Sequence, residues 1–143
     1  MSMKATLEKQ QATLICDDLM SLITVCKQHL NQIAKEHGLT SIQLFALHAI
    51  FDGNNATGKI AHILHCDASN VTGIIDRLTT LNLVTRKEDP QDRRVKTVQL
   101  TDEGQTVVQN ATELLPVRLG CDRLTQQETE ILHSTIAKLT LSN

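Results

Sequence analysis

The chain has 143 residues, of which 41% are hydrophobic and 21% charged, with a formal net charge of −2. That is enough for one ordinary hydrophobic core, and the balance is wrong for a disordered or strongly polyionic chain. No run of about 18 apolar residues offers a membrane span, and Met1–Gln11 has no apolar signal core. A cytoplasmic location is therefore expected, with the four cysteines as thiols rather than disulfides.

The only aromatics besides histidine are Phe45 and Phe51, so the core must be built from Leu, Ile, Val and Ala, which suits helices. Residues 5–36 read as one long helix. Leu7, Leu14, Ile15, Leu19, Leu22, Ile23, Leu30 and Ile33 recur at helical spacings, no proline interrupts them, and Gly38 supplies a stop. A stripe that long exceeds what a small domain can cover, so it calls for a distant helix of this chain or for a second subunit. Residues 39–51 form a second helix, capped by Thr40 or Ser41, with Leu44, Leu47, His48 and Phe51 on one face. After the turn at 52–55, a third helix occupies 57–66 with Ile60, Ala61 and Leu64 inward. The fourth spans 67–82: Asp67 is its N-cap, Val71, Ile74, Ile75 and Leu78 are its buried face, and Asn82 takes the left-handed position at its end.

The period then changes from helical to alternating. Residues 83–87 and 94–100 are β-rich, and the segment between them, broken by Pro90, makes a hairpin. Thr101 caps a fifth helix with Val107, Val108, Ala111, Leu114 and Leu115 on its apolar side; Pro116 is expected to kink or end it. The last helix, 124–141, has a capping-box spacing at Thr125 and Glu128, with Leu124, Ile131, Leu132, Ile136 and Leu139 expected to face inward.

A short helix, a tight turn, a helix with a small polar start and then a hairpin define a winged helix-turn-helix within a mainly α chain. Ser69, Asn70, Thr72 and Gly73 give the fourth helix a slim N-terminal half that fits a major groove roughly 12 Å wide. Arg93 and Arg94 in the hairpin offer guanidinium groups to a neighbouring minor groove. Charge is segregated to match. Between Lys59 and Leu100 there are seven basic and five acidic residues, a net of +2, whereas the rest of the chain nets −4.

The stretch "IAHILHCDASNVTGIIDRLTTLNLVTRKEDPQDRRVKTVQLTDEG" resembles the DNA-binding core of the MarR family of bacterial transcription regulators. Ile60-Ala61 stands where the family has a leucine-alanine pair, and Ser69, Val71 and Thr72 match the start of its recognition helix. Asp76-Arg77-Leu78, Val84, Arg86, Asp92-Arg93-Arg94 and Leu100-Thr101-Asp102-Glu103-Gly104 match the motifs that follow, with Asn82 replacing the usual glycine. The resemblance implies a homodimer built from residues 1–38 and 102–143, a DNA-binding region at 39–101, and one recognition helix per subunit in successive major grooves of a pseudo-palindrome. Half-site centres would lie about 34–36 Å apart. It also implies that Asp92 braces Arg94, that the regulator is a repressor, and that a small-molecule effector, often aromatic or anionic in this family, binds where the dimer helices meet the DNA-binding lobe.

Each of these residues has a plainer reading. Arg93 and Arg94 could be a solvated hairpin tip, Ser69, Asn70 and Thr72 could merely cap a helix, and Arg77 could pair with Asp76 or the wing instead of phosphate. A winged-helix module that binds protein is the competing function. A redox regulator is another, because some family members sense oxidants through a first-helix cysteine and Cys16 is at such a place. Asp17 and Asp18 follow it, however, unlike the electropositive setting of reactive thiols, and the tyrosines of such sensors are absent. Cys66 reads as core. His62 and His65, and His29 and His37, lack the further ligands of a zinc site, so neither metal nor cofactor is expected. No nucleophile elbow, phosphate loop or carboxylate pair indicates an enzyme.

Overall fold

In the computed structural model, which describes residues 3–88, 92 and 96–140, helices and one hairpin follow in the order the sequence implies. Helix α1 (Met3–Glu36) ends where Gly38 turns to φ 68° and the Leu39 amide bonds back to the Ala34 carbonyl at 2.9 Å. Helix α2 (Ser41–Phe51) opens with Thr40 as the N-cap, in a capping box with Gln43. Helix α3 (Thr57–Leu64) stops two residues short of the expected end because His65 takes a left-handed conformation at φ 50°. The Cys66 amide then closes onto the Ala61 carbonyl at 3.1 Å, setting up the turn into α4 (Ala68–Thr80). Asn82, at φ 57°, ends that helix as expected, and the Leu83 amide reaches the Leu78 carbonyl at 2.9 Å.

Strands β1 (Val84–Glu88) and β2 (Lys96–Leu100) pair antiparallel, with Val84 opposite Leu100 and Glu88 opposite Lys96. Val84 and Val98 are buried at the base, while Thr85–Glu88 stand in solvent, so the hairpin is an arm rooted at one end. A bridge between Ala56 and Thr97, and a 2.9 Å bond from the Val98 amide to the Asn55 carbonyl, stitch β2 to the turn before α3. Helix α5 (Asp102–Arg118) continues two residues past Pro116, so of the two expected outcomes it does not end there. Proline's φ is itself helical, and this close to the end its missing N–H removes one bond only. A short 3-10 turn at Cys121–Arg123 leads to α6 (Gln126–Thr140). Its start is fixed as read: the Thr125 amide and hydroxyl both donate to the Glu128 carboxylate, at 2.8 and 2.9 Å.

One core holds the lobe together. Ile33 and Ala34 of α1, Leu44, Leu47 and Ile50 of α2, Ile60, Val71, Ile75, Leu78, Val84, Val98, and Val108 and Ala111 of α5 pack as a single cluster. A fully buried aliphatic such as Leu47, Ile60 or Leu78 contributes roughly 1.5–3 kcal/mol. Two expected faces turn out differently. His48 and Phe51 are exposed, because the buried arc of α2 centres on Ala46, Leu47 and Ile50. The stripe of Leu124, just before α6, and Ile131, Leu132, Ile136 and Leu139 on it does not face inward: all five are exposed, and no described element packs closely along α6. The same holds for Leu7, Leu14, Ile15, Leu22 and Ile23 of α1.

Candidate nucleic-acid interface

Helix α4 buries Val71, Ile75 and Leu78, which leaves Ser69, Gly73, Asp76 and Thr80 along the middle of its opposite face by helical spacing. Asn70 and Arg77 flank that line on one side and Thr72 on the other, and all are exposed. Asp67 holds the N-cap position, yet its side chain makes no capping bond, so the first amides of α4 stay open toward solvent. The Thr72 hydroxyl donates back to the Ala68 carbonyl at 3.0 Å, leaving its oxygen free to accept. Gly73 has no intrachain reason to be glycine. A Cβ there would meet nothing within 4 Å, and glycine in mid-helix costs about 1 kcal/mol relative to alanine. The observation fits a helix face kept slim for close approach by something outside the chain.

The wing is tied to this helix by charge and by backbone. Arg86 of β1 donates a hydrogen bond to the Asp76 carboxylate on α4. That bears on one of the alternatives for Arg77: Asp76 pairs with Arg86, and the Arg77 side chain has no hydrogen-bond or ion-pair partner among the described residues. At the foot of the wing, Thr101 serves three neighbours. Its hydroxyl donates to the Asn82 carbonyl at 2.7 Å and accepts from the Gly104 amide at 3.0 Å, and its amide bonds the Leu83 carbonyl at 3.0 Å. Gly104 is required here, because a Cβ would lie 2.0 Å from the Leu83 carbonyl oxygen.

Ser69, Asn70, Thr72, Gly73 and Arg77 are thus brought onto one surface. Arg93 and Arg94 lie outside the described residues, as does the turn around Pro90; Asp92 is exposed. Cys16 is exposed on α1, Cys26 is half-buried, Cys121 is exposed, and Cys66 packs at the edge of the core. Among the described residues no group of three or more His, Cys, Asp or Glu is placed to hold a metal. Sequence reasoning noted Arg86 only as a motif match and missed its role as the partner of Asp76. The available signal was a carboxylate in mid-recognition helix with an arginine ten residues on, across a short turn.

A helix-turn-helix whose second helix presents a small polar face beside a rooted hairpin defines a winged-helix DNA-binding protein, and residues 39–104 match the family described as a winged helix DNA-binding domain. The transcriptional repressor MdtR of Bacillus subtilis is 36% identical over 97 residues, covering 62% of this chain and 63% of its own. The fold is shared with a MarR family protein from Bacillus stearothermophilus, at a TM-score of 0.82 and 18% identity over 94% of this chain and 96% of that one. It is shared too with a mutant of MepR from S. aureus bound to an oligodeoxyribonucleotide, at a TM-score of 0.64 and 23% identity over 88% and 96%. The chain is a DNA-binding transcription regulator of the winged-helix type, with the fold of the MarR family proteins.

Proposed function

We propose that the protein works in the cytoplasm as a homodimeric, ligand-responsive repressor of a pseudo-palindromic operator. The observation that carries the dimer is the exposed apolar surface at the two ends of the chain. Leu14, Ile15, Leu22 and Ile23 of α1 and Ile131, Leu132, Ile136 and Leu139 of α6 stay exposed among the described residues, and a symmetric partner carrying the same faces would cover them. Residues 1–38 and 102–143 then serve dimerisation and 39–101 read DNA. Ser69, Asn70, Thr72 and Gly73 approach base edges or phosphates, Arg77 neutralises phosphate, and Arg94, braced by Asp92, enters the minor groove with Arg93 beside it. The repressor role is drawn from the likeness to MdtR, and binding of a duplex from the fold shared with a MepR mutant bound to an oligodeoxyribonucleotide.

The effector site is proposed where α1 meets α5, in an open cleft of about 320 Å³ lined by Glu36, His37, Asn110, Glu113 and Leu114. Arg118 bonds Glu36 at 2.7 Å across the same junction, so a ligand seated there bears on the angle between the dimer helices and the lobe. With Glu36 paired to Arg118, Glu113 supplies the remaining charge of the lining, which favours a neutral or cationic compound over the anionic effectors common in the family. To act, such a compound must prefer one spacing of the recognition helices over the other.

Selection of duplexes from random fragments tests the reading most directly. Recovered sites should show two-fold symmetry, with half-site centres about 34–36 Å apart. Log K should fall with log[salt] by about 0.9 per phosphate neutralised. A flat salt response, with no duplex preferred, would instead favour the protein-binding module.

A further inference from the structure

Asp76 poses a problem for a DNA-reading surface, because it puts a carboxylate at the centre of the exposed face of α4, in line with Ser69 and Gly73. An unpaired carboxylate there would repel phosphates and face base edges that mostly offer acceptors. The carboxylate is not unpaired: Arg86 reaches it from the wing. Arg86 is exposed and stands opposite buried Val98, at the level where core contact ends; the Ala56–Thr97 bridge holds β2 one pair further out, and beyond it the arm has no packing partner among the described residues. The contact therefore ties strand β1 to the recognition helix at the level where the arm leaves the lobe.

We propose that Asp76 and Arg86 are positioning residues that lock the wing to the recognition helix, so that the two read one duplex as a rigid unit, and that the pair serves discrimination between operator and random DNA rather than bulk affinity. This rests on the reading that α4 and the wing engage the same duplex. Arg86 is withheld from phosphate by Asp76, and Asp76 is neutralised by Arg86. Neither needs to touch a base for its loss to be felt. A wing free to swing still finds phosphate, since any duplex offers it, but no longer meets the minor groove at the register that the helix has chosen.

Because the Arg86 and Asp76 side chains are 43% and 57% exposed, neutral replacements leave the core intact. The test compares wild type, Asp76→Asn, Arg86→Gln and the double variant by fluorescence anisotropy. One duplex is recovered by the wild type from random fragments, and the other is a scramble of the same composition. Each single change should lower the ratio of specific to scrambled affinity by about three- to tenfold, and the double change by no more than the larger single one, as expected of partners acting through each other. In addition, Asp76→Asn should bind the scrambled duplex more tightly and show a steeper salt dependence, because it releases Arg86 to phosphate; Arg86→Gln should do neither. Additive losses, or an undiminished ratio in variants of a discriminating wild type, overturn the coupling alone. A wild type that does not discriminate overturns the underlying reading as well.

Discussion

From Leu39 to Leu100 most large aliphatic side chains are buried, whereas in α1 before Cys26 and throughout α6 none is. Both regions carry apolar residues at regular helical spacing, so hydrophobic pattern does not distinguish them. What differs is the number of neighbours that one chain can bring. Helix α2 is wrapped by α1, α3, α4, α5 and β2, while α6 leaves the 3-10 turn with no extensive packing against any described element. A periodic stripe states that a face must be covered, and it is silent on which molecule does the covering. In this chain the surface proposed to meet DNA is finished internally, and the surface proposed to fix the distance between two such surfaces stays exposed.

The largest expected effect breaks the unfinished region. Ile131→Glu puts a charge on each side of the proposed two-fold interface, and a carboxylate desolvated there costs several kcal/mol. Sedimentation should show loss of the dimer, with the helical content of the lobe unchanged; a dimer as tight as wild type would mean that α6 is not its interface. The next change strikes the finished region. Gly104→Ala gains about 1 kcal/mol of helix propensity and loses about 3 kcal/mol to overpacking, because the Leu83 carbonyl cannot withdraw without unseating the base of the wing. A net loss near 2 kcal/mol in denaturant unfolding is expected. Thr101→Ala should cost about 1–2 kcal/mol at the same junction, since it removes a helix cap and strips the Asn82 carbonyl of its donor.

How much was legible in the sequence follows the same division. The helix ends that depend on a few adjacent residues were readable: Thr40, Thr101 and Thr125 as caps, and Gly38 and Asn82 as left-handed stops. So was the motif order from Ile60 to Gly104, because the winged helix binds its residue types to fixed offsets. The features that were missed depend on three-dimensional neighbours. His65 looks like one more helical residue until the helix-turn-helix demands a sharp turn there. His48 and Phe51 share spacing with Leu44 and Leu47 but fall at the rim of the buried arc. Asp76 gave no sign whether it would pair with its neighbour Arg77 or with Arg86 across the turn, since that choice is made by the hairpin's path.

The smallest expected effect again contrasts the two regions, through pH. The Glu128 carboxyl is held below its usual range, chiefly by the hydrogen bond from the Thr125 amide and then by that from the Thr125 hydroxyl. A carboxyl depressed in the folded state adds stability that is fully present above its unfolded value and is lost as pH falls through the folded one. The start of α6 should therefore fray as pH falls below the usual carboxylate range, whereas Thr40 and Thr101 cap α2 and α5 with groups that do not titrate. Hydrogen exchange over pH 3 to 6 should show the first amides of α6 losing protection ahead of those of α2 and α5, once intrinsic exchange is corrected for. Glu128→Gln keeps an acceptor that does not titrate, so it should remove the pH step while retaining part of the cap. Fraying that persists in this variant would place its origin in the uncovered apolar face of α6 instead.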